Sequence, residues 1–164
     1  MYLLLLIIGE GVVYLGLVYG FSIFFEKAKR HNIKTKLSSI LIIMASSSTA
    51  IIISNLIPNE ALGNRFQHSI GGGFIGLLIC FLAAKDSAVK INRLQFAVFS
   101  FLITITLGTF NENAEFYLQN YWYETLYLVF SRTVNDTWLD LVSNAVGAIL
   151  GVICFVPFFP ERKK

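Results

Sequence analysis

The stretch EKAKRHNIKTK, residues 26–36, runs directly into LSSILIIMASSSTAIIISNLI, residues 37–57. The second part holds 21 residues without one charged side chain. At about 1.5 Å per residue, a helix of that length spans about 31 Å, close to the thickness of a bilayer's hydrocarbon layer. The first part carries Lys27, Lys29, Arg30, Lys34 and Lys36, a basic cluster of the kind retained on the cytoplasmic side. An uncharged run of spanning length beside such a cluster reads as a transmembrane helix.

Four more apolar runs lie at residues 2–25, 68–84, 94–110 and 138–159. Together the five spans predict an all-α fold, a polytopic transmembrane helical bundle forming a single transmembrane domain over residues 1–164. Composition agrees, since 55% hydrophobic and 14% charged residues with a mean hydropathy of +0.67 exceed what a soluble domain can hide. A disordered chain and a disulfide scaffold are excluded, and the net charge of +3 does not indicate nucleic acid, because the basic residues flank spans. No run alternates as barrel strands would. Residues 2–25 are too long for a signal-peptide core and lack a basic leader and a cleavage site, so a retained helix is expected. Cys80 and Cys154 each lie in an apolar run without a ligand-spaced partner and read as packing residues.

Charge orients the bundle. Residues 26–36 hold five basic side chains, residues 85–93 hold Lys85, Lys90 and Arg93, and the tail holds Arg162, Lys163 and Lys164. With five crossings these fall on one side, leaving Arg65 and Arg132 on the other. The positive-inside rule then puts the N-terminus outside and the C-terminus in the cytoplasm, as for a multi-pass protein of the cytoplasmic (inner) membrane. Most acids take the outer side. The connection at residues 111–137 contains no Gly or Pro and is rich in aromatics, which predicts a helical extension followed by an outer interfacial segment. No internal repeat suggests a two-copy transporter.

Ionisable groups within a membrane are costly, so each needs a partner or a task. Asp136, Asp140 and Asn144 recur every four residues and share a helical face; the two carboxylates repel unless a cation, an Arg or a shared proton lies between them. Ser143, Gly147 and Gly151 form a parallel ladder of small residues suited to close helix approach. Asn111, Glu112 and Glu115 share a face at the outer end of the fourth span. Arg65 and His68 precede Gly71, Gly72 and Gly73 where the third span is expected to open, and Arg65 is placed to neutralise a carboxylate. The triple glycine is no phosphate loop, since no Lys follows at the required spacing. Glu10 lies inside the first span with no basic residue within a turn, so its partner must come from another helix, with Tyr14 a turn deeper as a hydrogen-bonding candidate. Carboxylates with one imidazole suit a divalent cation, a protonated amine or an activated water.

The strings Arg65-Phe-Gln-His68, Asn111-Glu112-Asn-Ala-Glu115 and Asn135-Asp136-Thr-Trp-Leu-Asp140-Leu-Val-Ser-Asn144-Ala-Val-Gly147-Ala-Ile-Leu-Gly151 together resemble the VanZ-like membrane proteins. They are similar also to a neighbouring group of uncharacterised bacterial inner-membrane proteins. The resemblance covers roughly residues 60–155. It implies a membrane protein associated with lowered susceptibility to glycopeptide antibiotics of the teicoplanin type. One departure stands out, Glu115 at a place where VanZ-like chains commonly carry Gln; Arg132 is the counterpart of their Arg before the last motif.

The leading expectation is an outward-facing acidic site that binds or acts on a lipid-linked or other amphiphilic cell-envelope ligand. His68, Glu112, Glu115, Asp136, Asp140 and Asn144 are the candidates for chemistry, and Arg65, Glu10 and Arg132 for ligand binding, with a divalent cation as a conceivable cofactor. A carboxylate or His68 would serve as general base in an enzymatic version. The alternatives are a small cation or proton-coupled transporter or channel, and a structural assembly subunit. Transport requires a polar path to the cytoplasmic side, where the inner halves of the spans read as apolar apart from Ser and Thr.

Overall fold

The computed structural model describes residues 2–25, 35–87, 89–121 and 134–160. Arg132 and the interfacial stretch beyond residue 121 lie outside the described residues. The elements are α1 (Tyr2–Phe25), α2 (Leu37–Leu56), α3 (Glu60–Phe66), a π-helical segment (Gln67–Phe74), α4 (Ile75–Asp86), α5 (Arg93–Tyr121) and α6 (Val134–Phe155), closed by a 3-10 turn at Val156–Phe158. Among the described residues there is no strand. Five helices are long and apolar enough to cross a membrane, with α3, the π-helical segment and α4 counting as one continuous helix, Glu60–Asp86.

Local chemistry places the boundaries. Ile57, forced out of helical geometry by Pro58, is extended at φ −75° and ψ 117° and ends α2. Asn59 then caps α3 by accepting a hydrogen bond from the Leu62 N–H at 3.1 Å, and Glu60 lies favourably in the first turn. At α5 the Asn92 side chain accepts from the Gln95 N–H at 2.8 Å while Gln95 accepts from the Asn92 N–H at 3.0 Å, a reciprocal capping box. The third helix therefore starts at Glu60 rather than at His68. The fourth continues to Tyr121, the helical extension expected past residue 110, and the fifth begins at Val134 rather than 138. An apolar run measures the hydrocarbon a helix crosses, whereas these helices extend into polar sequence wherever a cap or a partner satisfies it.

Long-range pairs establish the alternation of directions. Lys36 pairs with Asp86 at 3.2 Å, and the Arg93 side chain donates to the Phe159 carbonyl at 3.3 Å, so the start of α2, the end of α4, the start of α5 and the end of α6 share one basic end. Arg65 pairs with Asp136 and Asp140, joining α3 to the start of α6 at the other, acidic end. Between them the core is apolar and aromatic, with Phe96 and Phe159 stacked at 4.2 Å. On α6 the polarity is inverted relative to a soluble helix. Asp140, Asn144, Gly147, Ala148 and Gly151 are buried, while Leu139, Val142, Val146, Ile149 and Ile153 are exposed. An outward apolar face is what lipid contact requires.

The closest helix contact joins α6 to the π-helical segment. A Cβ at Gly73 would overlap the Asn144 carbonyl oxygen and approach the Ala148 nitrogen to 2.7 Å, and one at Gly147 would overlap the Ser69 carbonyl oxygen and approach the Phe74 nitrogen to 2.9 Å. Backbone therefore lies on backbone, which only glycine permits. The widened π turn falls on this crossing and on the Gly71–Gly73 run, and such turns recur at functional sites.

A second polar cluster lies at the basic end, where the spans read as apolar. Asp86 is buried and accepts from the Tyr14 hydroxyl at 2.7 Å and the Ser39 hydroxyl at 2.5 Å, in addition to pairing with Lys36. Tyr14 thus serves Asp86 rather than Glu10, whose carboxylate accepts instead from Ser47 of α2 at 2.5 Å. Interhelical partners win because a buried carboxylate gains most from a hydroxyl donor, and α1 offers Tyr14 to Asp86 while α2 offers Ser39 to Asp86 and Ser47 to Glu10. Tyr14→Phe is expected to lower stability by about 1.5–3 kcal/mol, the worth of a hydrogen bond to a charged group. Reversible SDS unfolding of the detergent-solubilised chain measures it; an unchanged midpoint would mean that Ser39 and Lys36 suffice.

Candidate functional site

Three helical pieces converge at the acidic end. From α3 and the π-helical segment come Asn64, Arg65 and His68, from α5 come Glu112 and Glu115, and from α6 come Asp136, Asp140 and Asn144. The i, i+4 spacing on α6 sets Asp136 above Asp140, and Arg65 is the cation between them. Its two terminal nitrogens each donate to one carboxylate, and one also donates to the Asp136 carbonyl oxygen at 3.3 Å. Asp140, with a side chain only 1% exposed, receives a further hydrogen bond from Asn64 Nδ2 at 3.0 Å.

His68 lies between two carboxylates. Its Nε2 is 3.5 Å from Asp140 Oδ1 and its Nδ1 is 3.5 Å from Glu112 Oε1. Glu112 is 5% exposed, and among the described residues neither of its carboxylate oxygens has a hydrogen-bond partner. Glu115 is buried beside it and accepts from Asn111 Nδ2 at 2.7 Å, one turn earlier on α5. One ligand atom from each of His68, Glu112 and Glu115 lies within 4.8 Å of the others.

Asn144 occupies the inner floor. Its side chain fills space left by Gly72 of the π-helical segment and by Gly108 of α5, where a Cβ would approach Asn144 Nδ2 to 3.0 Å. Asn144 is 2% exposed, and its Oδ1 has no hydrogen-bond partner among the described residues. The arrangement has two lobes: a satisfied one, in which Arg65 and Asn64 hold Asp136 and Asp140, and an unsatisfied one of His68, Glu112 and Glu115.

Of the residues expected from sequence, Arg65, His68, Glu112, Glu115, Asp136, Asp140 and Asn144 are brought together. Glu10 is not joined to them and is engaged by Ser47. Sequence reasoning missed Asn64 and Gly108. Asn64 had a signal, since it belongs to a polar string, Asn64-Arg65-Phe-Gln67-His68, entering an apolar run. Gly108, a lone glycine within an apolar helix, had none. Cys80 is buried near Thr104 and Cys154 is exposed, both free and away from the cluster.

Five membrane-length helices with a buried carboxylate and imidazole cluster at one end define a polytopic α-helical membrane protein with a built polar site. The chain belongs to the family described as Predicted membrane protein (DUF2238), whose model matches residues 2–160. No curated protein and no solved structure gave a match. The family description carries a membrane and nothing of glycopeptide resistance or a cell-envelope ligand.

Proposed function

We propose that this is a cytoplasmic-membrane protein whose acidic end faces outward and binds or acts on an amphiphilic cell-envelope ligand, as the VanZ resemblance implies. The observation that carries the reading is the convergence of seven chemistry-bearing side chains from three helical pieces into one cluster at the end opposite the basic residues. Such a cluster is expensive in a membrane and is kept where it has a task. Positive-inside orientation sets it at the outer leaflet, within reach of lipid-linked headgroups. In an enzymatic version Glu112 or Glu115 is the base, while Arg65, whose terminal nitrogens are engaged by Asp136 and Asp140, holds those carboxylates in place. Cells lacking the chain, complemented with wild type or with Glu112→Gln, test it with teicoplanin as probe. Wild type alone should lower susceptibility; equal susceptibility in both strains would overturn the reading.

A second reading, proton-coupled transport, is favoured by one observation. The buried face of α2 carries Ser39, Ser47 and Ser54, which meet Asp86, Glu10 and Gln67, the last at 3.5 Å. Successive pairs stand seven or eight residues apart, or about 10–12 Å, too far for direct proton hops without intervening water. Proteoliposomes loaded with a pH-sensitive dye decide between the two: acidification abolished by Glu10→Gln supports transport. The small-residue ladder offers little to an assembly role, because Gly147 is covered by Ser69 and Gly151 by Leu77 of the same chain.

A further inference from the structure

We infer that His68, Glu112 and Glu115 form a binding site for a borderline divalent cation of the Zn2+ class, an inference that rests on the reading of the acidic-end cluster as a ligand site. The first observation is the deficit at Glu112. A carboxylate that is 5% exposed, with no hydrogen-bond partner for either oxygen among the described residues, is costly as it stands. Arg65 does not relieve it, since its terminal nitrogens are engaged by Asp136 and Asp140. Among the described residues no Lys or Arg lies within ion-pair distance of Glu112 or Glu115; the cationic candidate at Glu112 is His68.

The second observation is the orientation of the imidazole. Metal-bound histidines commonly direct their other ring nitrogen to a carboxylate, which fixes the ring and its tautomer. His68 has this arrangement: Nε2 faces Asp140, which Arg65 and Asn64 already hold in place, and Nδ1 faces Glu112. Asp140 is thus a positioning residue and the three others are the ligands. Ligand atoms around a site with bonds of about 2.1 Å stand about 3–3.5 Å apart, so the observed 4.8 Å limit closes with side-chain movements of about 1 Å.

The donor set selects the ion. One imidazole and two carboxylates suit Zn2+ or Mn2+ better than Ca2+, which takes six to eight oxygens, or Cu(I), which takes sulfur. Both cysteines lie elsewhere. Three protein ligands leave a coordination position open, the arrangement of zinc sites that receive water or a substrate oxygen.

The test uses the full chain purified in detergent, stripped with chelator and titrated with ZnCl2. One zinc per chain is expected by elemental analysis, with a zinc-dependent rise in Tm. Glu112→Gln should abolish both, while Glu60→Gln, an exposed control, should leave both unchanged. In the metal-free state the order reverses: Glu112→Gln should melt above wild type, because the neutral amide relieves the stranded carboxylate, and zinc should restore wild type to the higher Tm. Co2+ substitution of the wild-type protein gives a readout free of variant folding, with intense visible bands expected for a low-coordinate site. Absence of stoichiometric zinc, or zinc binding unaffected by Glu112→Gln, would overturn the inference. Zinc bound, but teicoplanin susceptibility indifferent to Glu112→Gln, supports the cation site and sinks the envelope reading. Susceptibility changed by that substitution without zinc binding does the reverse.

Discussion

Replacing Arg65 with Ala should cost on the order of 3 kcal/mol and deplete the folded protein in the membrane, because it removes the guanidinium that two carboxylates share. Asp140 is almost wholly buried and would keep Asn64 as its hydrogen-bond donor, while Asp136, with its side chain 29% exposed, would recover part of its loss in water. The larger share of the penalty therefore falls on Asp140. The double variant Arg65→Ala, Asp140→Asn should recover much of the loss, since the cost of breaking a buried pair lies mainly in the charge left behind. SDS unfolding midpoints of the single and double variants in one detergent measure the coupling. A single variant within about 0.5 kcal/mol of wild type would mean that water or another donor replaces the guanidinium. His68 should report the same event, because its Nε2 faces the oxygen of Asp140 that Arg65 binds. Its imidazole NMR resonances should move in Arg65→Ala and return toward wild type in the double variant.

How far such partners can be read from sequence depends on how local the determinant is. The Asp136, Asp140 and Asn144 face follows from helical periodicity alone, and so does the need for a cation between its carboxylates. That Arg65 supplies it is a long-range fact, yet scarcity made it legible: only two basic residues lie away from the basic end. The five spans were legible because each apolar run contains few charges. Their ends were less so, since Asn59, Glu60, Asn64, Arg65 and Gln67 depress hydropathy while forming a capped helix, and the Asn59 cap was the overlooked signal. Asp86 was illegible for another reason. Its neighbours Lys85 and Lys90 mark a solvated loop, and only the placement of α1, which brings Tyr14 to the end of α4, buries it. The π turn likewise had no periodic signature; its glycines were visible, but the helix they admit was not.

The glycine that faces this turn from α6 carries the other large expected effect. Gly147→Ala should destabilise the bundle by more than the roughly 1–3 kcal/mol usual for overpacking. The atoms a methyl would meet, the Ser69 carbonyl and the Phe74 nitrogen, are backbone, with no flexible side chain to move aside. The two helices must separate, and separation cannot stay local. Asp136 and Asp140 leave with α6, while Arg65 and His68 stay with the other helix, so a change about 10 Å along α6 from Asp140 should weaken the ion pairs and the imidazole contact together. Gly16→Ala provides the comparison, since nothing lies within 4 Å of its added Cβ and Ala is the better helix former by up to about 1 kcal/mol. The pair of variants separates steric overlap from helix propensity: Gly16→Ala should hold or raise the unfolding midpoint, and Gly147→Ala should lower it sharply and reduce zinc affinity in whatever fraction still folds. Equal midpoints would show that the crossing tolerates a methyl, and the close approach would then not be what holds the cluster together.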